Sequence, residues 1–170
     1  EQQRQQSGEE HAAEADAGME FLCFDSGDDN GASREVAERF AGRMDIRWTA
    51  TPDLKPWTSK TNLGVRQARA AHIVMLHQDD LWLPGHGREL AKTVRDMSEG
   101  DYSLSIGPSR LVGSKGQDAG SWNLPFRPGR IAGRELASTL LVQNTISVPS
   151  PVVDRAAFLS AGGMDDDLWY

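Results

Sequence analysis

The chain has 170 residues, 38% of them hydrophobic, which is enough for one domain with a real core. Its net charge of −7 argues against a nucleic-acid partner, because that binding rests on neutralising phosphates with Lys and Arg. No apolar run approaches the ~20 residues that span a bilayer. Cys23 is the only cysteine, so neither an intramolecular disulfide nor a cysteine-built zinc cluster is available.

Residues 1–18, EQQRQQSGEEHAAEADAG, are polar and nearly free of large apolar side chains, and read as a lead-in, either a solvated helix or disordered. They show no signal-peptide pattern, and an intracellular, cytoplasmic protein is the expectation. The absence of an initiator Met and the apolar finish Leu168-Trp169-Tyr170 suggest a fragment with neighbours on both sides. Membrane association through such flanking segments is kept as an alternative.

MEFLCF (19–24) is a continuous apolar run of strand length, closed by the turn-forming cluster DSGDDNG (25–31). SREVAERFAGRM (33–44) places Val36, Ala37, Phe40 and Met44 on one helical face, with Glu35 four before Arg39. IRWTA (46–50) reads as a short strand, and the two prolines of TPDLKPW (51–57) make a loop. KTNLGVRQARAA (60–71) predicts a helix with Leu63, Gln67, Ala68 and Ala71 near one side, weakened by Gly64. HIVML (72–76) is the next strand. Residues 86–98 form an amphipathic helix burying Leu90, Val94 and Met97.

YSLSIG and SRLVGS read as a strand pair, and the Gly-, Ser- and Pro-rich 113–130 as a long surface loop. RELASTLLV (134–142) is helical. TISVPSPVV (145–153) is extended, and its prolines place it at a sheet edge. RAAFLSAGG (155–163) is a short helix ended by glycines. Strands alternating with helices at this spacing argue for βαβ units and a mainly parallel sheet.

Two apolar strands end in acids: MEFLCF in DSGDD, and HIVML in HQDD. Ligands of open α/β sheets bind beyond the carboxyl ends of the strands. If these strands are parallel neighbours, Asp25 and the Asp79-Asp80 pair face one crevice. Crowded carboxylates repel unless a cation compensates. Mg²⁺ and Mn²⁺ take oxygen ligands, and His77 adds a nitrogen acceptable to Mn²⁺. For DSGDDNG alone the turn-forming reading carries more weight. A calcium loop fails there, because its closing position falls on Ala37. For HQDD a metal site is favoured over a structural turn. Lys60, Arg66 and Arg69 are candidates for neutralising phosphate, but a solvated helix face is the favoured reading. Trp82 reads as a packing anchor under the acid loop. Trp57 and Trp122 are weak acceptor-site candidates, and His72 and His86 carry no signal.

Three segments resemble glycosyltransferase family 2. Asn62-Leu63-Gly64-Val65, Ala68, Ile73, Leu76, Asp79-Asp80 and Pro84 are similar to that family's Asn-x-Gly-Ile helix start, strand and DxDD motif. DSGDDNGA (25–32) resembles its DDGSTDGT turn. VPSPVVDRAAFLSAGGMDDDLWY (148–170) resembles its later GGFD segment. The resemblance implies a truncated GT-A-like domain over 19–170, with a mixed, mainly parallel sheet flanked by helices. It implies metal-assisted, inverting transfer of a sugar from a nucleotide-diphosphate donor to a saccharide, lipid-linked or protein acceptor. By the same resemblance Asp25 holds the nucleobase. Asp79 and Asp80 contact the donor ribose and a divalent Mn²⁺ or Mg²⁺, and Gly162 and Gly163 shape the acceptor side.

The chain departs from the family in three places. His77 replaces the first Asp of DxDD, which leaves the metal one carboxylate short. No Pro-x-(Tyr/Phe)-Asn strand precedes residue 19. The general base is expected beyond Tyr170, and Asp165, Asp166 and Asp167 read as turn formers. Two rivals stand beside this reading. One is a non-catalytic binding module of the same fold. The other, disfavoured, is a receiver-type signalling domain, which needs a Lys after its fifth strand where TISVPSPVV is followed by Asp154-Arg155.

Overall fold

The computed structural model describes residues 18–27 and 31–167. The lead-in expected over 1–18 lies, but for Gly18, outside the described residues, as do Asp28, Asp29, Asn30 and the last three residues.

The chain is mixed α/β, with three small sheets and five described helices. β1 (Glu20–Asp25) and β2 (Asp45–Ala50) pair in parallel, from Glu20 opposite Asp45 to Asp25 opposite Ala50. The crossover between them is α1 (Ala32–Phe40), which buries Ala37. The helix ends four residues before the predicted limit, where Gly42 carries a high cost in a helix interior. Its surface ion pair is Arg34–Glu38, at 2.8 Å.

α2 (Trp57–Gln67) starts three residues earlier than expected, directly after Pro56, whose fixed φ admits a helix start. It stops four residues early. The backbone N–H groups of Arg69 and Ala70 donate instead to the Glu20 carboxylate, at 2.6 and 2.9 Å, and draw the chain out toward β3. The buried face is Thr58, Ser59, Asn62 and Val65, rather than the side that carries Leu63 and Gln67. Gly64 lets the helix approach β1 closely: a Cβ there would lie 3.1 Å from the Phe24 ring. Gly64→Val is therefore expected to destabilise the fold by about 1–2 kcal/mol through overpacking, read as a shifted urea midpoint with unchanged slope.

β3 (His72–Val74) keeps three of the five predicted residues. After it come α3 (His86–Gly100), β4 (Leu104–Ser105), β5 (Ser109–Val112), β6 (Asp118–Trp122), α4 (Gly133–Leu140), β7 (Val152–Asp154) and α5 (Arg155–Ser160). β7 lies between β3 and β4 and is antiparallel to both. That corrects the edge assignment: Pro149 and Pro151 precede the paired residues, so neither removes a ladder donor. β4 and β5 do not pair with each other. β5 pairs with β6, inside the segment expected to be loop, through an antiparallel hairpin with a bulge at Leu111/Val112. β6 is exposed throughout and has no apolar alternation to announce it.

The expected mainly parallel sheet is thus corrected: among the described residues one of four strand pairings is parallel. The core forms on the side of α3 expected to be buried. Leu90 and Met97 of α3 pack on Val152 of β7, with Met19, Val74, Trp82, Val94 and Tyr102 around them. Met97 is 2% exposed. No helix among the described residues is long and apolar enough to cross a membrane.

Candidate functional site

Asp25 ends β1, and both its carboxylate oxygens accept local hydrogen bonds. Oδ1 accepts from the backbone N–H of Gly27 at 2.7 Å, and Oδ2 from the Ser33 hydroxyl. Ser33 Oγ in turn accepts from Trp48 Nε1 at 3.0 Å. The Ser33 hydroxyl, then the Gly27 N–H, with the Lys60 ammonium nearby, hold the Asp25 carboxyl below its ordinary range. A carboxylate has about four acceptor positions, so Asp25 retains capacity for a ligand.

Beside it, Ser26 receives two cations: Lys60 Nζ donates to its hydroxyl at 2.8 Å and Lys55 Nζ to its carbonyl at 3.2 Å. Lys60 is half-buried and held there, which corrects its assignment to a solvated face. Arg69 is bound to Glu20 and Asp45 and serves the fold.

The second acidic segment follows β3. His77 carbonyl accepts from the Asp80 N–H at 3.1 Å, closing a four-residue turn. The turn folds His77, Asp79 and Asp80 together: each offers one ligand atom, and all three lie within 4.8 Å of one another. His77 and Asp80 are half-buried. Asp79 is exposed, so the expected desolvation holds for Asp80 alone.

The His77 ring stands edge-on to Trp57, the first residue of α2, with centroids 5.1 Å apart and planes at 64°. His77 Nε2 is buried and has no hydrogen-bond partner. The cluster as a whole offers one imidazole nitrogen and two carboxylate oxygens, a donor set that borderline divalent cations accept. The residues present therefore fit a divalent ion.

Trp82 is the anchor the sequence pointed to. It lies 6.0 Å from Phe21 of β1 and 5.1 Å from His86, centroid to centroid. Burial lowers the His86 pKa, against a smaller upward pull from Glu89. Leu81 and Leu83, on either side of Trp82, are exposed.

The two acidic segments are not brought together as neighbours in one sheet, because β1 and β3 belong to different sheets. No hydrogen bond or ion pair joins Asp25 to the 77–80 turn among the described residues. The link between them is the first turn of α2, which meets Ser26 through Lys60 and His77 through Trp57.

Gly162 and Gly163 end α5 with φ of +94° and +80°, a conformation that favours glycine. The Gly163 N–H donates to the Phe158 carbonyl five residues back, at 3.1 Å. The turn beyond is held from α2. Asn62 Nδ2 donates to the Met164 carbonyl at 2.8 Å and to Asp166 Oδ1 at 2.9 Å, and Asn62 Oδ1 accepts from the Met164 N–H at 2.9 Å. Asp165 Oδ1 accepts from the Asp167 N–H at 3.0 Å, so these acids form the turn, as expected.

Sequence reasoning missed Asn62 and Glu20 as organising residues. The available signals were a polar side chain on a helix face that is otherwise packed, and a lone carboxylate in an apolar strand. An open groove of about 750 Å³ runs along α4, lined by Pro125, Ala132, Glu135, Thr139 and Val142 among others, and includes none of the candidate site residues.

Compared with protein-family models, the chain matches none. Compared with curated proteins, it again has no match.

Proposed function

We propose that the chain is a GT-A-like sugar-nucleotide transferase domain of the glycosyltransferase family 2 type, in which the 77–80 turn holds a divalent cation that receives the donor diphosphate. The observation that carries this reading is the convergence of His77, Asp79 and Asp80 within 4.8 Å on one closed turn. The cation would offset the charge that develops on a diphosphate leaving group. Asp25, kept ionised by Ser33 and Gly27, is the acceptor for a nucleobase N–H. Lys60 and Lys55, gathered at Ser26, favour an anionic ligand between Asp25 and the 77–80 turn. The Gly162-Gly163 turn, fixed by Asn62, forms the acceptor side.

A non-catalytic nucleotide-binding module is the second reading. It is favoured by His77, which stands where the family's motif has its first Asp and leaves a cation one carboxylate short.

Calorimetry with UDP, GDP and dTDP, each with and without Mn²⁺, tests the shared core of both readings. The expected result is metal-dependent binding of one nucleotide that Asp79→Ala and Asp80→Ala weaken about tenfold or more. Binding that ignores both substitutions, or no binding with any metal, overturns the assignment. Transfer of sugar from a bound nucleotide-sugar to an acceptor separates the enzyme from the module.

A further inference from the structure

We infer that residues 108–145, which hold the β5–β6 hairpin and α4, form a docking face for an anionic membrane surface. Leu141 and Val142 enter the apolar layer, and unpaired basic side chains meet the lipid phosphates. The inference rests on neither the metal site nor sugar transfer.

The first observation is charge. The segment carries Arg110, Lys115, Arg127, Arg130 and Arg134 against only Asp118 and Glu135, a net +3 inside a chain of net −7. Arg110 pairs with Asp118, and Arg130 lies over the Tyr102 ring and donates to its hydroxyl at 3.1 Å. Lys115, Arg127 and Arg134 are exposed, and their side chains have no ion-pair or hydrogen-bond partner among the described residues.

The second observation is apolar exposure. No residue from 101 to 150 is buried, and α4 buries none of its own. Leu141 and Val142, just beyond α4, are 88% and 89% exposed, more than any other large apolar side chain among the described residues. Val142 also lines the groove along α4 with Thr145, whose carbonyl accepts from Trp122 Nε1 at 2.8 Å. The Trp122 ring is thereby tied to the strand of chain that follows the aliphatic pair, yet stays exposed. Leu111 shares its side of the hairpin by strand alternation, and is exposed too.

Charge and exposure together decide the occupant. A second copy would set one positive face against another. A small polar anion would leave Leu141 and Val142 in water. A bilayer with anionic headgroups satisfies both features: aliphatic side chains enter it, tryptophan sits at headgroup level, and basic residues are attracted to its surface. The acidic remainder of the chain is repelled by the same surface, which orients the protein with this face toward it.

The test is sedimentation of the full chain with vesicles of phosphatidylcholine alone, and with vesicles in which about a third of the lipid is phosphatidylglycerol. Binding to the anionic vesicles is expected to be tighter by about tenfold or more, to fall in high salt, and to shift tryptophan emission to the blue. Leu141→Asp with Val142→Asp is expected to weaken that binding about tenfold or more, and Arg127→Glu with Arg134→Glu to do the same. All four side chains are exposed, so the circular dichroism spectrum stays unchanged. Trp122→Phe is expected to keep most of the binding and lose most of the blue shift. Lys92→Glu, a charge reversal at an exposed position of α3, is expected to change binding less than about twofold.

Equal, weak association with both kinds of vesicle overturns the inference. So does anionic binding that neither pair of substitutions alters, because other cations would then carry it. A concentration-dependent dimer that Leu141→Asp with Val142→Asp dissociates, without vesicle binding, assigns the face to a second copy and overturns it as well. Vesicle binding by a chain that binds no nucleotide defeats the transferase reading and leaves this inference standing.

Discussion

Asn62→Ala is expected to destabilise the protein by about 3–4 kcal/mol, the sum of lost hydrogen bonds, stranded partners and a small cavity. Asn62 is 6% exposed and makes three bonds to residues more than a hundred positions away. Its removal leaves the N–H and C=O of Met164 unpaired beside the buried face of α2. Gly163 sits directly against the Asn62 side chain, so truncating Asn62 leaves a gap beneath the turn. A Cβ added to Gly163 would lie 2.6 Å from Asn62 Oδ1.

Urea unfolding gives the magnitude, and hydrogen exchange over 158–167 locates it. Asn62→Asp keeps the volume and the bond from Met164 N–H, but sets a negative charge against Asp166. Adding Asp166→Asn is expected to recover part of that loss. A loss below about 1 kcal/mol for Asn62→Ala, with unaltered exchange in the turn, would show that the turn is held by something else.

The second large effect belongs to Glu20 and depends on pH. Its side chain is 9% exposed and ties three segments together. It accepts from the backbone N–H groups of Arg69 and Ala70, from Arg47 at 2.8 Å and from Arg69 Nε at 3.1 Å. Burial pushes its pKa up. The backbone donors, with the two arginines, outweigh that and bring it from the ordinary 4.5 down to about 2. A folded pKa below the unfolded one means that the folded state binds the proton less readily. The stabilisation is thus fully present above pH 4.5 and is lost as pH falls toward 2.

Both arginines are largely solvated, which screens their share, so the expected contribution at neutral pH is about 2 kcal/mol. Glu20→Gln should be less stable than the parent by that amount at pH 7, and the difference should vanish near pH 2. Asp25 also titrates low in the parent, so the difference curve between the two proteins is the diagnostic. A difference independent of pH would mean that shape, not charge, matters at this position.

The elements that were legible in the sequence are those whose apolar pattern is local. α3 buries Leu90 and Met97 at helical spacing, as its residues alone indicated, and β1 occupies the apolar run before DSGDD almost residue for residue. The glycines after α5 adopt the positive φ their position called for. The acid turn was legible in the same way: His77, Asp79 and Asp80 lie within four positions of each other, and one backbone bond gathers them.

Two site assignments changed with the structure. Lys60 looked like part of a charged helix face, and only the return of the chain past Ser26 gave it a partner. Asp25 and the 77–80 turn were expected to meet at one sheet edge, yet they are linked through the first turn of α2.

By itself, then, the sequence determined where most of the helices and strands form and that His77, Asp79 and Asp80 share one short turn, since propensity, periodicity and turn chemistry act over a few residues. Which strands pair, and in which direction, was decided only by the tertiary structure. β7 became central because its prolines fall just outside the ladder, and β6 became a strand because β5 offered it backbone partners. Main-chain donors and acceptors are alike in every residue, so the choice among distant partners rests on packing and on long-range clamps such as Glu20 and Asn62. Those clamps acquire their meaning only when segments far apart in the chain arrive beside them.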